Sequence, residues 1–147
     1  MSQALLVSSL AATLYMVGLT WFVHVVHYPL FPLVGAASFR AYHEAHSTRT
    51  TWVVAVPMIV ELISSVGLAF DPPAGEGALA AVGGILAVSV WAVTLLWAAP
   101  THSMIGRGGL TTDLQKRLDR ASLVRTWLWT FHGVVVLMIV ARVVETT

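Results

Sequence analysis

At 147 residues the chain has the length of one domain, and 57% of it is hydrophobic while only 10% is charged, against about 25% charged in an average soluble domain. With a mean hydropathy of +0.80, this is the composition of a membrane protein. The net charge is +1 with no basic run of the kind that binds nucleic acid, so no nucleic-acid partner is expected. The absence of cysteine excludes disulfides, iron–sulfur clusters, thiolate-ligated haem and covalent c-type haem.

The N-terminal stretch MSQALLVSSLAATLYMVGLTWFVHVV lacks the positive n-region of a signal peptide, and its apolar run is too long for an h-region, which predicts a retained first span. A bilayer core asks for about 20 mostly apolar residues per helix. Four segments qualify, at about 3–28, 50–70, 77–98 and 121–144. Pro29 and Pro32 are expected to end the first, Asp71, Pro72, Pro73 and Gly75 the second, and Pro100 the third. Gly83, Gly84 and Ala87 give the third span a small-residue surface for close helix contact. Between the first two spans, SFRAYHEAH is amphipathic with Phe39, Tyr42, His43 and His46 on one side, which predicts a short interfacial helix. Thr112 and Gln115 read as a capping box opening the last helix, whose part before Arg125 is amphipathic. The predicted architecture is all-α: one integral membrane four-helix bundle over 1–147, with the short amphipathic helix between spans one and two.

Charge sets the expected orientation. The first loop carries Arg40 and Arg49, the third Arg107, Lys116, Arg117 and Arg120, and the second Asp71 and Glu76 with no Lys or Arg. By the positive-inside rule, loops one and three are cytoplasmic and both termini lie outside, in what is expected to be a bacterial inner membrane. Trp52, Trp97, Trp127 and Trp129 fall near the inner ends of their spans, where interfacial aromatics belong.

This topology gathers five of the six histidines on one face: His24 and His27 at the end of span one, His43 and His46 in loop one, and His102 after Pro100. Residues i and i+3 share a helix face, so each HxxH pair can present both rings to one centre. Glu61 and His132 lie deeper, about 13 Å and 10 Å into their helices at 1.5 Å per residue. A carboxylate at that depth costs several kcal/mol unless paired, protonated or ligated. Pro57, one turn before Glu61, frees the carbonyl of Val53 beside it. Histidines at helix ends also serve as interfacial residues bonded to water or headgroups.

The pieces HYPLF, F.AYH.AH, P..VE and LVRTWLWT resemble a family of small four-span bacterial membrane proteins. Size and span count are similar to the anthrone-oxygenase-like membrane proteins, and that resemblance implies a small oxidoreductase.

From the residues, neutral imidazoles with a carboxylate suit iron, copper or zinc, and iron or copper in a lipid-facing bundle points to oxidation. The expected ligands are His27, His43, His46 and His102, with Glu61 as a further ligand or the catalytic proton acceptor. Tyr28 and Tyr42 could orient a ring nitrogen. The expected activity is metal-dependent oxidation of an apolar or quinone-like small molecule in the lipid bilayer, with homo-oligomerisation left open. Two alternatives stand beside it. One is a b-type haem held by His24 and His132. The other is a non-enzymatic subunit, or a proton- or ion-handling protein, in which Glu61 and His132 form a relay.

Overall fold

The computed structural model describes residues 2–145. Helix α1 runs Ser2–Phe22, continues through a π-helical turn, Val23–His27, and a 3-10 turn, Tyr28–Leu33. Helix α2 is Ala36–Phe70, and α3 is Gly77–Val93. A second π-helical turn, Thr94–Ala98, joins α3 to α4, Ala99–Gly108, and α5 is Thr112–Glu145. The described residues thus contain four helices long and apolar enough to cross a membrane, as an integral membrane protein requires.

Helix α1 packs on α2 and α5, and α3 packs on α2 and α5, so each of the four long helices touches the two beside it. Three apolar layers fill the space between them. Leu6, Leu68, Ala80, Val136 and Ile139 form the layer at the chain termini. Met16, Met58, Val90 and Trp129 form the middle one, and Tyr28, Phe31, Phe39, Ile105 and Leu118 the far one. The polar pattern is inverted relative to a soluble bundle. Ser9, Thr13, Glu61, Ser65 and His132 are buried, while Val7, Phe22, Ile63, Leu96 and Phe131 point outward. Such an apolar exterior suits lipid, where small-residue packing and interhelical hydrogen bonds hold helices together. Gly84 shows the close approach: a methyl there would stand 3.2 Å from the Ala69 Cβ.

Three sequence-based boundaries and one side-chain placement need correction. The separate interfacial helix expected over 38–46 is the start of the continuous 35-residue α2. No Gly or Pro interrupts 47–52, and Thr51 Oγ1 donates to the Ser47 carbonyl, so the helix has no reason to stop there. Pro100 does not end the third helix, which reaches Gly108 and stops at Gly109, where φ is +81°. The cap of α5 is Thr111, whose Oγ1 accepts from the Leu114 N–H, one residue earlier than the Thr112 box. Trp129 is not interfacial. It is wholly buried in the middle layer.

Candidate functional site

Both π-helical turns stand two residues before a proline. Proline has no N–H to return to the carbonyl four residues back, and its ring clashes with that carbonyl. The ladder widens by one residue instead: the Tyr28 N–H bonds the Val23 carbonyl and the Ala99 N–H bonds that of Thr94. One extra residue turns everything beyond it by about 100°. His27 closes the first such turn, and His102 comes after the second.

These two turns and α2 bring four imidazoles together. His43 and His46 share a face of α2. His27 Nε2 lies 2.8 Å from His46 Nδ1, and His43 Nε2 lies 3.2 Å from His102 Nδ1. The pairs adjoin, with ring centroids 5.9 Å apart for His46 and His102 and 6.4 Å for His43 and His46. Each contact is a hydrogen bond in which one ring donates and the other accepts, so the accepting ring must be neutral. Tyr28 Oη holds the second nitrogen of His102 at 2.9 Å, and Thr50 Oγ1 lies 3.1 Å from His46 Nδ1. Tyr42 meets His27 and Phe31 through its ring instead. Phe31, fully buried, sets its ring edge-to-face with those of His27, His43 and His46, and Phe39 stacks on His43.

Behind these two phenylalanines lies a largely apolar pocket of about 890 Å³, which is also lined by Leu33, Val34, Leu110 and Gln115. The Gln115 amide nitrogen donates to the Tyr28 carbonyl and to Asp119 Oδ1, while its buried carbonyl oxygen has no partner.

Glu61 is not part of the imidazole cluster. Its Oε1 takes His132 Nδ1 at 2.7 Å and its Oε2 takes the Trp129 Nε1–H at 2.7 Å. All four helices meet at this point. Ser65 of α2 lies 3.3 Å from His132 Nε2 and 3.0 Å from Ser9 Oγ of α1, and Gly83 of α3 faces the same imidazole. Arg125 supplies no cation to Glu61. Its guanidinium lies 5.4 Å from the Trp129 ring centre, and its buried Nε has no hydrogen-bond partner.

His24 and His132, paired in the haem expectation, share no contact. The His24 ring lies against Trp21, and its Nδ1 is buried without a partner. Sequence reasoning gives Trp129, Ser9, Gln115, Phe31 and Phe39 no part in a site. Trp129 carries a usable signal, since it sits three residues before His132 and so on the same helix face.

Among the described residues, no group of three or more His, Asp or Glu side chains is arranged to hold a metal ion as it stands. What the cluster presents is two adjoining nitrogen pairs. Compared with protein families, curated proteins and solved structures, the chain matches none.

Proposed function

We propose that this is an iron- or copper-dependent integral membrane oxidoreductase acting on an apolar, quinone-like small molecule. One observation carries the reading, the separation of the paired ring nitrogens. Nitrogens each about 2.05 Å from one ion and 2.8 or 3.2 Å apart subtend about 86° or about 103° at it, within the range of ordinary coordination angles. His43 and His102 would hold the ion, with His46 and His27 beside them. Two imidazoles on opposite sides of one ion have centroids about 6.4 Å apart, so turning the rings suffices to recruit His46. Tyr28 would fix the tautomer of His102 from behind.

The ion would supply one-electron chemistry, and the chain's own residues the rest. Phe31 and Phe39 line the apolar pocket and also contact the imidazoles. The volume and lining of that pocket suit a small apolar ligand. The unpartnered Gln115 carbonyl in its wall is an acceptor suited to a hydroxyl. Glu61 with His132 would hold a proton deeper in the bundle. The first turns of α2 and α5 would project from the bilayer on the side of Arg40 and Lys116, with both termini on the other.

The test is elemental analysis and a visible spectrum of detergent-purified protein. Iron or copper bound near stoichiometry, lowered in both His43→Ala and His46→Ala while the protein stays helical, is the expected result. Neither metal in the parent protein would sink the reading. Against the haem alternative stands the packing of His132. Its two nitrogens face Glu61 and Ser65, and a methyl on Gly83 would already stand 3.5 Å from Nε2. A Soret band lost in His24→Ala or His132→Ala would reinstate it. The hydrogen-bonded series Ser9, Ser65, His132, Glu61 favours a second reading, a proton-handling protein without metal.

A further inference from the structure

A second, smaller pocket of about 400 Å³ reaches the imidazoles beside the first, sharing Arg40 and Gly106 with it. Polar side chains line it, among them Arg40, His43, Glu44, Thr48, His102 and Ser103. The apolar pocket touches none of the four histidines, whereas this one touches both members of the His43–His102 pair. Gly106 forms part of the wall beside His43, where a methyl would stand at an ordinary contact distance, 3.6 Å, from Nδ1. Ser47 adds a buried hydroxyl with no partner.

We propose that this pocket is a water-filled vestibule through which a hydrated transition-metal ion reaches His43 and His102 from the membrane face bearing Arg40 and Arg49. It rests on the metal-dependent reading above. Size permits it, since six waters at about 30 Å³ each need about 180 Å³. Chemistry favours it as well. A hydrated divalent ion sheds water stepwise, and serine and carboxylate oxygens along its route replace the lost ligands before imidazole completes the exchange. Arg40 and Glu44 stand at i and i+4 on α2, so the Glu44 carboxylate offsets the guanidinium and the mouth does not repel a cation. The apolar molecule would then approach past Phe31 and Phe39 and the ion past Thr48 and Ser103, through adjoining pockets that share Arg40 and Gly106.

The chain contains no cysteine, so single thiols report cleanly. Thr48→Cys and Ser103→Cys, both at exposed positions of the pocket wall, should react with a charged, membrane-impermeant maleimide in one vesicle orientation, at least tenfold faster than a cysteine replacing the outward-facing Ile63. Cobalt(II) added alone should slow that labelling. Ser103→Trp, a change at an exposed position, should slow cobalt(II) uptake tenfold or more, followed by its visible bands, with the final stoichiometry unchanged. A parent protein that takes up no cobalt overturns the metal reading and the vestibule's role with it. Cobalt uptake with both cysteines unreactive, or at an unaltered rate in Ser103→Trp, overturns the vestibule alone.

Discussion

His132 of α5 and Glu61 of α2 meet at 2.7 Å between two helices that are not neighbours in the bundle, with 0% and 1% of their side chains exposed. Removing one partner of such a pair strands the other in a low-dielectric interior, at a cost of about 3–5 kcal/mol. Glu61→Ala and His132→Ala should each lower stability by about that much, and the double substitution by clearly less than the sum. Equilibrium unfolding in mixed micelles measures all three. Additive losses would mean that the two side chains do not interact.

Glu61→Gln should be milder. The carboxamide oxygen can still accept the Trp129 N–H while its NH2 donates to His132 Nδ1, once the imidazole proton moves to Nε2, so both contacts persist as neutral hydrogen bonds. A loss of about 1 kcal/mol is expected from exchanging charge-assisted bonds for neutral ones. Trp129→Phe should cost less in the Gln background than in the parent, and an equal cost in both would count against the shared contact.

Tyr28→Phe removes the hydroxyl that holds His102 Nε2 and leaves the Tyr28 carbonyl available to Gln115. The fold should survive while affinity for copper(II) falls by about 10–100-fold. Burial holds the His43 and His102 imidazoles below their ordinary pKa, so in the parent the affinity should persist as pH falls through about 6.5 and weaken only in more acid solution, where protons compete for the ring nitrogens. Competition titrations at several pH values give both results, and an affinity independent of pH would exclude imidazole ligation.

The two adjacent glycines of α3 should respond differently. Alanine at Gly83 meets His132 at an ordinary contact distance of 3.5 Å, whereas at Gly84 it meets the Ala69 Cβ at 3.2 Å and the Ser65 carbonyl at 3.5 Å. Gly83→Ala is expected within about 0.5 kcal/mol of the parent, and Gly84→Ala to cost about 1 kcal/mol or more. Thermal unfolding in detergent ranks them, and the reverse order would show the packing here to be misjudged.

Reporter fusions at Gly75 and at the C-terminus should both read as extracytoplasmic, given the arginines and lysine of the other two loops. A cytoplasmic signal at either site would reverse the orientation.

Several of these relationships are legible in the sequence. The four long helices follow from apolar run lengths. The joint face of His43 and His46 follows from i, i+3 spacing, and the isolation of Glu61 in an apolar run marks it for a buried partner. Trp129 is easily misplaced, because a tryptophan near Arg125 resembles an interfacial anchor. Only the run Ser122, Thr126, Trp129, Gly133, Val136, buried along one face of α5, shows that it points inward. The boundary at Pro100 misleads for a different reason. Proline usually ends a helix, and whether the chain instead widens by one residue depends on neighbours that sequence spacing does not reveal.

That widening has a bearing on how such a chain can change over generations. Each π-helical turn holds one residue more than the helix around it needs, set between a packed bundle and a histidine-bearing end. Losing one residue from Val23–His27 or Thr94–Ala98 would restore ordinary winding and rotate only the segment beyond the turn. The packing of α1 or α3 would stay as it is while His27 or His102 swung to a new bearing. Single-residue deletions, ruinous in most helices, would here act as a dial, letting descendants of one bundle present different end groups without rebuilding its interior.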